Sequence, residues 1–138
     1  MAVTYQKKGY VLIYQPDHPM SHVGYVQEHT LVAEKALGKP LPKKAVIHHV
    51  DEDRQNNSHE NLVICEDIAY HNLLHRRLRA LKACGNANYR KCWICKQYDS
   101  VDNLKIYNGS SVVHSKCIND YHNGLNNKRK RIKEEQSL

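Results

Sequence analysis

Four histidines stand in a pattern that suits a divalent cation. His48 and His49 are adjacent at the end of an apolar stretch, Ala45–Val50, and His71 and His75 lie four residues apart in a segment of helical periodicity. Residues i and i+4 of a helix share a face, with Cβ atoms about 5–6 Å apart, so two imidazoles so placed can grip one ion. A third ligand from a nearby strand would complete a three-point site with open positions, the arrangement catalytic metal centres use. The adjacent pair brings a constraint. Neighbours on a regular strand point to opposite faces, so His48 and His49 serve one site only if the strand bends or ends there. The polar loop that follows, Asp51–Ser58, permits this.

A second cluster has different chemistry. Cys92-x2-Cys95, eighteen residues, then His114-x2-Cys117 has the spacing of a structural zinc site, with His122 the alternative to His114 as the fourth ligand. Four thiolate or imidazole ligands close a tetrahedral shell, and in so short a segment the ion supplies much of the folding energy. A knuckle, a hairpin and a helix start in this order resemble a treble-clef or zinc-ribbon module. Cys65 reads as a buried strand residue and Cys84 as a helix end. The cysteine count is odd, and Met1–Lys8 lacks the apolar core of an export signal. An intracellular, cytoplasmic protein that binds metal is therefore expected, rather than one built on disulfides.

The elements that must position these side chains follow from punctuation and period. Gly9–Tyr14 is β-branched and aromatic and stops at Pro16-Asp17-His18-Pro19, which predicts a strand and a turn. Glu28–Leu37 has helical spacing (Leu31, Val32, Ala36, Leu37), with Gly38 and Pro40 as its stop and His29 packing or capping at its start. Ala45–Val50 and Leu62–Cys65 read as two strands around the polar loop, in which Asp51 and Asp53 are solvated. Asp67 is placed to cap a helix reaching about Ala83, with Leu74, Leu78 and Leu81 on one stripe and Gly85 beyond its end. Gly85–Arg90 reads as a linker. Asn108-Gly109 between two β-prone segments predicts a hairpin, with a helix after it.

Charge is unevenly spread. Residues 1–75 carry 7 Lys/Arg against 9 Asp/Glu, a net of −2, and residues 76–138 carry 14 against 5, a net of +9, which together give the overall +7. A basic half of this kind is the footprint of a protein that meets a polyanion, most often nucleic acid. Arg76, Arg77 and Arg79 on the predicted helix, and Lys128, Arg129, Lys130 and Arg131 in the tail, are the candidate contacts. With little apolar surface, the tail is expected to be mobile alone or a helix extension that orders on DNA. No run of 18 apolar residues exists, so no membrane span is expected.

Taken together, Val46-Ile47-His48-His49-Val50-Asp51, then Asn56-Asn57-Ser58-His59-Glu60-Asn61-Leu62, then His71, resemble the HNH endonucleases with a ββα-metal finger, and are most similar to the small HNH proteins common in phage genomes. The lead-in from Gly24 to Leu41 shares the resemblance, which covers roughly residues 9–80. It implies an α+β fold: a ββα-metal core over 45–83, with an N-terminal strand and helix, in an endonuclease domain 1–84. A treble-clef-like zinc module 85–125 and a basic tail 126–138 would follow. It also implies roles. His49 would be the general base, His48 and His71 the metal ligands, His75 a further ligand, and Asn61 the brace that orients His49. DNA would be the substrate, and products would carry 5′-phosphate and 3′-hydroxyl ends. Imidazole ligands favour Zn²⁺, Ni²⁺ or Mn²⁺ over Mg²⁺. Mg²⁺ or Mn²⁺ is expected to support activity, Zn²⁺ to bind tightly there as an inhibitor, and one structural Zn²⁺ to sit in the cysteine site.

Overall fold

The computed structural model describes residues 4–137. Among them are three α-helices and four small antiparallel sheets, a mixed α+β architecture. The chain divides into two compact units, Met1–Leu73 and Leu74–Leu138, and the division falls inside the second helix.

In the first unit, β1 (Thr4–Lys7) and β2 (Tyr10–Tyr14) form a hairpin, and β3 (Tyr25–Gln27) lies on the other side of β2. The turn uses Lys8 and Gly9, both at positive φ (53° and 81°), which matches the right-handed twist of the flanking strands. Gly24 takes φ 83°, a left-handed conformation that favours glycine, and a Cβ there would lie 2.7 Å from a Tyr14 ring carbon. Helix α1 (Glu28–Leu37) begins directly after β3 and ends at Gly38, whose left-handed backbone donates its N–H to Glu34 O. The Glu34 carboxylate ties down two flanking loops: it pairs with His18 Nε2 at 2.7 Å and accepts from the Leu41 N–H at 2.9 Å.

Strands β4 (Val46–His49) and β5 (Leu62–Cys65) pair antiparallel, with His48 opposite Val63 and His49 opposite Leu62. Among the described residues, Val26, Ala33, Ile47 and Cys65 are the buried apolar residues of this unit. Helix α2 (Ile68–Cys84) starts where the Asp67 carboxylate accepts from the Tyr70 N–H at 2.8 Å, an N-terminal cap as expected. It stops at Gly85, in the left-handed conformation at φ 76°. The buried position on its second half is Ala80, while Leu81, expected on the apolar stripe, is 49 % exposed.

The second unit contains two short hairpins and a long helix. β6 (Arg90–Lys91) pairs with β7 (Tyr98–Asp99), and β8 (Lys105–Tyr107) pairs with β9 (Ser111–Val113). Asn108 and Gly109 turn the second hairpin at φ 47° and 74°. Helix α3 (Ser115–Gln136) runs through the whole basic segment without a break. Apart from Ala80, the buried apolar residues here are Cys92, Val112 and Val113. So small a core leaves folding dependent on another source of cohesion. Among the described residues, no helix is long and apolar enough to cross a membrane.

Candidate functional site

Strand β4 ends at His49, and its last two residues face different partners. His48, 4 % exposed, lies edge-to-face with His71 of α2, ring centroids 5.4 Å apart. His75 follows one turn along the same helix, and the ligand atoms of His48, His71 and His75 all lie within 4.8 Å of one another. Two nitrogens sharing one ion at about 2.0–2.1 Å each can be no more than about 4.2 Å apart, so small ring rotations suffice to close the cluster. The donor set is three imidazoles, and neutral imidazole suits a divalent transition ion.

His49 faces the other way, against α1 and the β4–β5 loop. Its ring meets His29 edge-to-face at 5.2 Å, and its Nε2 is 2.9 Å from Asn57 Oδ1. The same Asn57 amide donates through Nδ2 to Glu28 Oε2 at 2.6 Å. That second bond orients the amide. An amide oxygen can only accept, so His49 Nε2 carries the ring proton and Nδ1 keeps its lone pair, the form a base requires. His29 is itself buried between Tyr10 and His49. Burial, and then the charge His49 can take up beside it, lower its pKa to about 4, so it stays neutral.

Asn61 holds the loop in shape. Its Oδ1 accepts from the Asp51 N–H at 3.0 Å, while its Nδ2 donates to Asn56 O and Asp51 Oδ1, both at 2.8 Å. Its backbone carbonyl accepts from Val50, and His49 O accepts from Glu52, so the turn is bonded to both strand ends. The Asp51 carboxylate is taken up within the loop, by Asn56, the Asp53 N–H and Asn61, and these bonds hold its pKa below the usual carboxylate value.

In the second unit, the ligand atoms of Cys92, Cys95, His114 and Cys117 converge within 4.8 Å. His114 Nδ1 lies 3.4 Å from Cys95 Sγ and 3.9 Å from Cys117 Sγ, and its Nε2 is 3.2 Å from Asp99 Oδ2. A carboxylate on the far nitrogen fixes the tautomer that turns Nδ1 toward a metal. Burial favours the neutral Cys92 thiol, but backbone N–H groups of Cys95, His114 and Ile94 outweigh it and lower the pKa to about 6. Burial and the neighbouring thiols push Cys117 up to about 11. With the Cys92 thiolate formed beside it, Cys117 resists ionising until a cation neutralises the pair. His122 lies outside this cluster, with its ring against Tyr121.

Arg76, Arg77 and Arg79 are exposed on α2, as are Lys128, Arg129, Lys130 and Arg131 on α3. Burial, and then the Arg76 charge, lower the pKa of Arg90. Three contributors escaped sequence reasoning: Glu28, Asn57 and Asp99. Glu28 looks like any acidic residue in a first helical turn, and Asn57 and Asp99 look like loop residues. Only the folded chain shows which imidazole each one addresses.

Residues 26–67 match the family model described as HNH endonuclease. The match covers less than half of the chain and is a likeness to HNH endonucleases over this segment. It spans α1, β4, the loop and β5, including His48, His49, Asn57 and Asn61, and ends before His71 and His75. None of the curated proteins and none of the solved structures compared matches the chain.

Proposed function

We propose that the chain is a metal-dependent HNH endonuclease that hydrolyses DNA phosphodiester bonds, with β4, β5 and α2 as a ββα-metal core. The observation that carries this reading is the convergence of the His48, His71 and His75 ligand atoms within 4.8 Å of one another, one residue along the chain from His49. Strand β4 ends at His49, so the strict alternation of faces stops there, and that ending is what would let ligand and base address the same phosphate. His48 and His71 would hold the divalent ion, with His75 a further ligand, and imidazole chemistry fits Mn²⁺, Ni²⁺ or Zn²⁺ more closely than Mg²⁺. When bound, the ion offsets charge at the phosphate and stabilises the leaving oxygen.

The protein's own part is proton transfer and positioning. His49 Nδ1 takes a proton from the attacking water as the water oxygen bonds to phosphorus and the P–O3′ bond breaks; the departing O3′ takes a proton from solvent, leaving a 5′-phosphate and a 3′-hydroxyl. Asn57, oriented by Glu28, supports the neutral tautomer this requires. Asn61 keeps the loop from letting the strand end drift. The basic residues Arg76, Arg77, Arg79, Lys128, Arg129, Lys130 and Arg131 would hold the DNA. Cys92, Cys95, His114 and Cys117 would bind one structural zinc in a treble-clef-like module.

Incubating the purified protein with supercoiled plasmid, with and without Mg²⁺ or Mn²⁺, tests the reading. Nicked or linear product is expected only with the ion. His49→Ala should lower the rate about 10²–10⁴-fold at unchanged folding and metal content, whereas His71→Ala should lose metal binding and activity together. DNA binding without cleavage under any divalent ion would instead identify a non-cutting module on the same fold. Wild-type cleavage by His49→Ala would remove it as the base.

A further inference from the structure

The second unit contains a cleft of about 210 Å³ whose walls are strongly cationic. Arg76 and Arg79 come from α2, three residues apart and so on one helix face. Arg90 and Lys91 come from β6, and Trp93 and Tyr98 add aromatic surface. Neither Asp nor Glu lines the cleft, although the chain has 14 acidic residues. Arg90 is anchored by a bond from its guanidinium to Ser110 O, which fixes one cation in the wall. Lys91 Nζ sits 5.9 Å from the centre of the Tyr98 ring. Like charges held this close, with no carboxylate among them, are stabilised by an anion.

Guanidinium forks match phosphate oxygens geometrically, and a lysine ammonium adds a point charge for the same group.

We propose that this cleft binds a backbone phosphodiester of the DNA, a contact point made of residues distinct from the histidine cluster. Of its cations, Arg90 and Lys91 lie outside the helix and tail segments that the charge pattern singles out. Backbone contacts of this kind fix register and orientation on the duplex and carry no base preference. The inference rests on DNA being the substrate, and the test separates failure of one from failure of the other.

Trp93 is the only tryptophan in the chain, so its indole ¹H–¹⁵N resonance is a single, resolved probe in the cleft wall. The full-length protein, purified without chelator and without added Mg²⁺ or Mn²⁺, is titrated with a short DNA duplex and separately with inorganic phosphate. The same titrations are run on the double variant Arg79→Gln/Lys91→Gln, and on Lys39→Gln/Lys43→Gln, which removes equal charge from exposed positions in the other unit. Duplex should move the Trp93 resonance saturably. The cleft variant should bind about 10–100-fold more weakly at about 0.1 M salt, with the slope of log K against log salt flattened by up to about 1.8. The control should change far less. Duplex binding with an unmoved resonance, or equal losses in the two variants, would overturn the cleft and leave the substrate reading standing. If phosphate moves the resonance and duplex does not bind, the cleft is a small-anion site and the DNA assignment falls. If neither binds, both fall.

Discussion

Replacing Asn61 with alanine tests whether the β4–β5 loop is held from within. The side chain is 7 % exposed and makes two bonds to backbone groups, accepting from the Asp51 N–H and donating to Asn56 O. Each such bond contributes about 0.5–1.5 kcal/mol net, so their loss comes to about 1–3 kcal/mol. The third bond, to the exposed Asp51 carboxylate, is left out of that figure because water replaces it. With a urea m-value of roughly 2 kcal/mol/M, a loss near 2 kcal/mol lowers the midpoint by about 1 M. Urea unfolding followed by far-UV circular dichroism measures this. Hydrogen exchange at the Asp51 amide, whose acceptor is removed, gives a local reading. Cleavage at 25 °C should fall further than the unfolded fraction accounts for, because His49 sits at the strand end the loop secures. A midpoint within about 0.2 M of wild type, with Asp51 protection unchanged, would refute the argument.

Three other outcomes are expected. Cys92→Ser should lose a tightly held zinc and unfold residues from about Arg90 onward while sparing the first unit, as metal analysis and Trp93 fluorescence will report; no zinc in wild-type protein purified without chelator would rule the module out. His29, with a folded pKa of about 4 against 6.5 unfolded, binds its proton more readily in the unfolded chain. Stability should therefore fall as pH drops from about 6.5 to 4, by roughly 2–3 kcal/mol, and His29→Phe should flatten that fall; identical pH profiles would contradict the assignment. Deleting residues 127–138 should flatten the salt dependence of DNA binding by about 2–5 units and leave the cutting rate at saturating protein unchanged, whereas superimposable slopes would mean that the tail touches nothing.

Helix α1 was legible because period and stop agree: the spacing over Glu28–Leu37 and the Gly38 stop predict the bounds observed. Strands β1 and β3 were not. β3 has three residues, too few for alternation to show, and it is placed by its pairing with β2. Of the two expectations for the basic segment, α3 takes the helical one. Lys, Arg and Glu are good helix formers, and Gly124 within the helix does not break it. In the candidate site, spacing alone brought out His71 with His75 and Cys92 with Cys95, since ligands to one ion must recur at the period of their element. The Glu28–Asn57–His49 chain joins residues 29 and 8 positions apart, and no periodicity encodes it. Nor does spacing choose His114 over His122; the carboxylate of Asp99 and the path of β9 do that.

The unbroken course of α3 has an angular consequence. Successive residues of a helix are turned by about 100°, so Lys128, Arg129, Lys130 and Arg131 point in four directions around the axis. The end of α3 therefore carries a collar of positive charge, with no single basic face. A helix that reads a groove presents one side to it, and rolling it breaks its contacts. This collar meets phosphate at every angle of roll. A polyanion approaching the end of α3 from any side would therefore meet at least one of these charges.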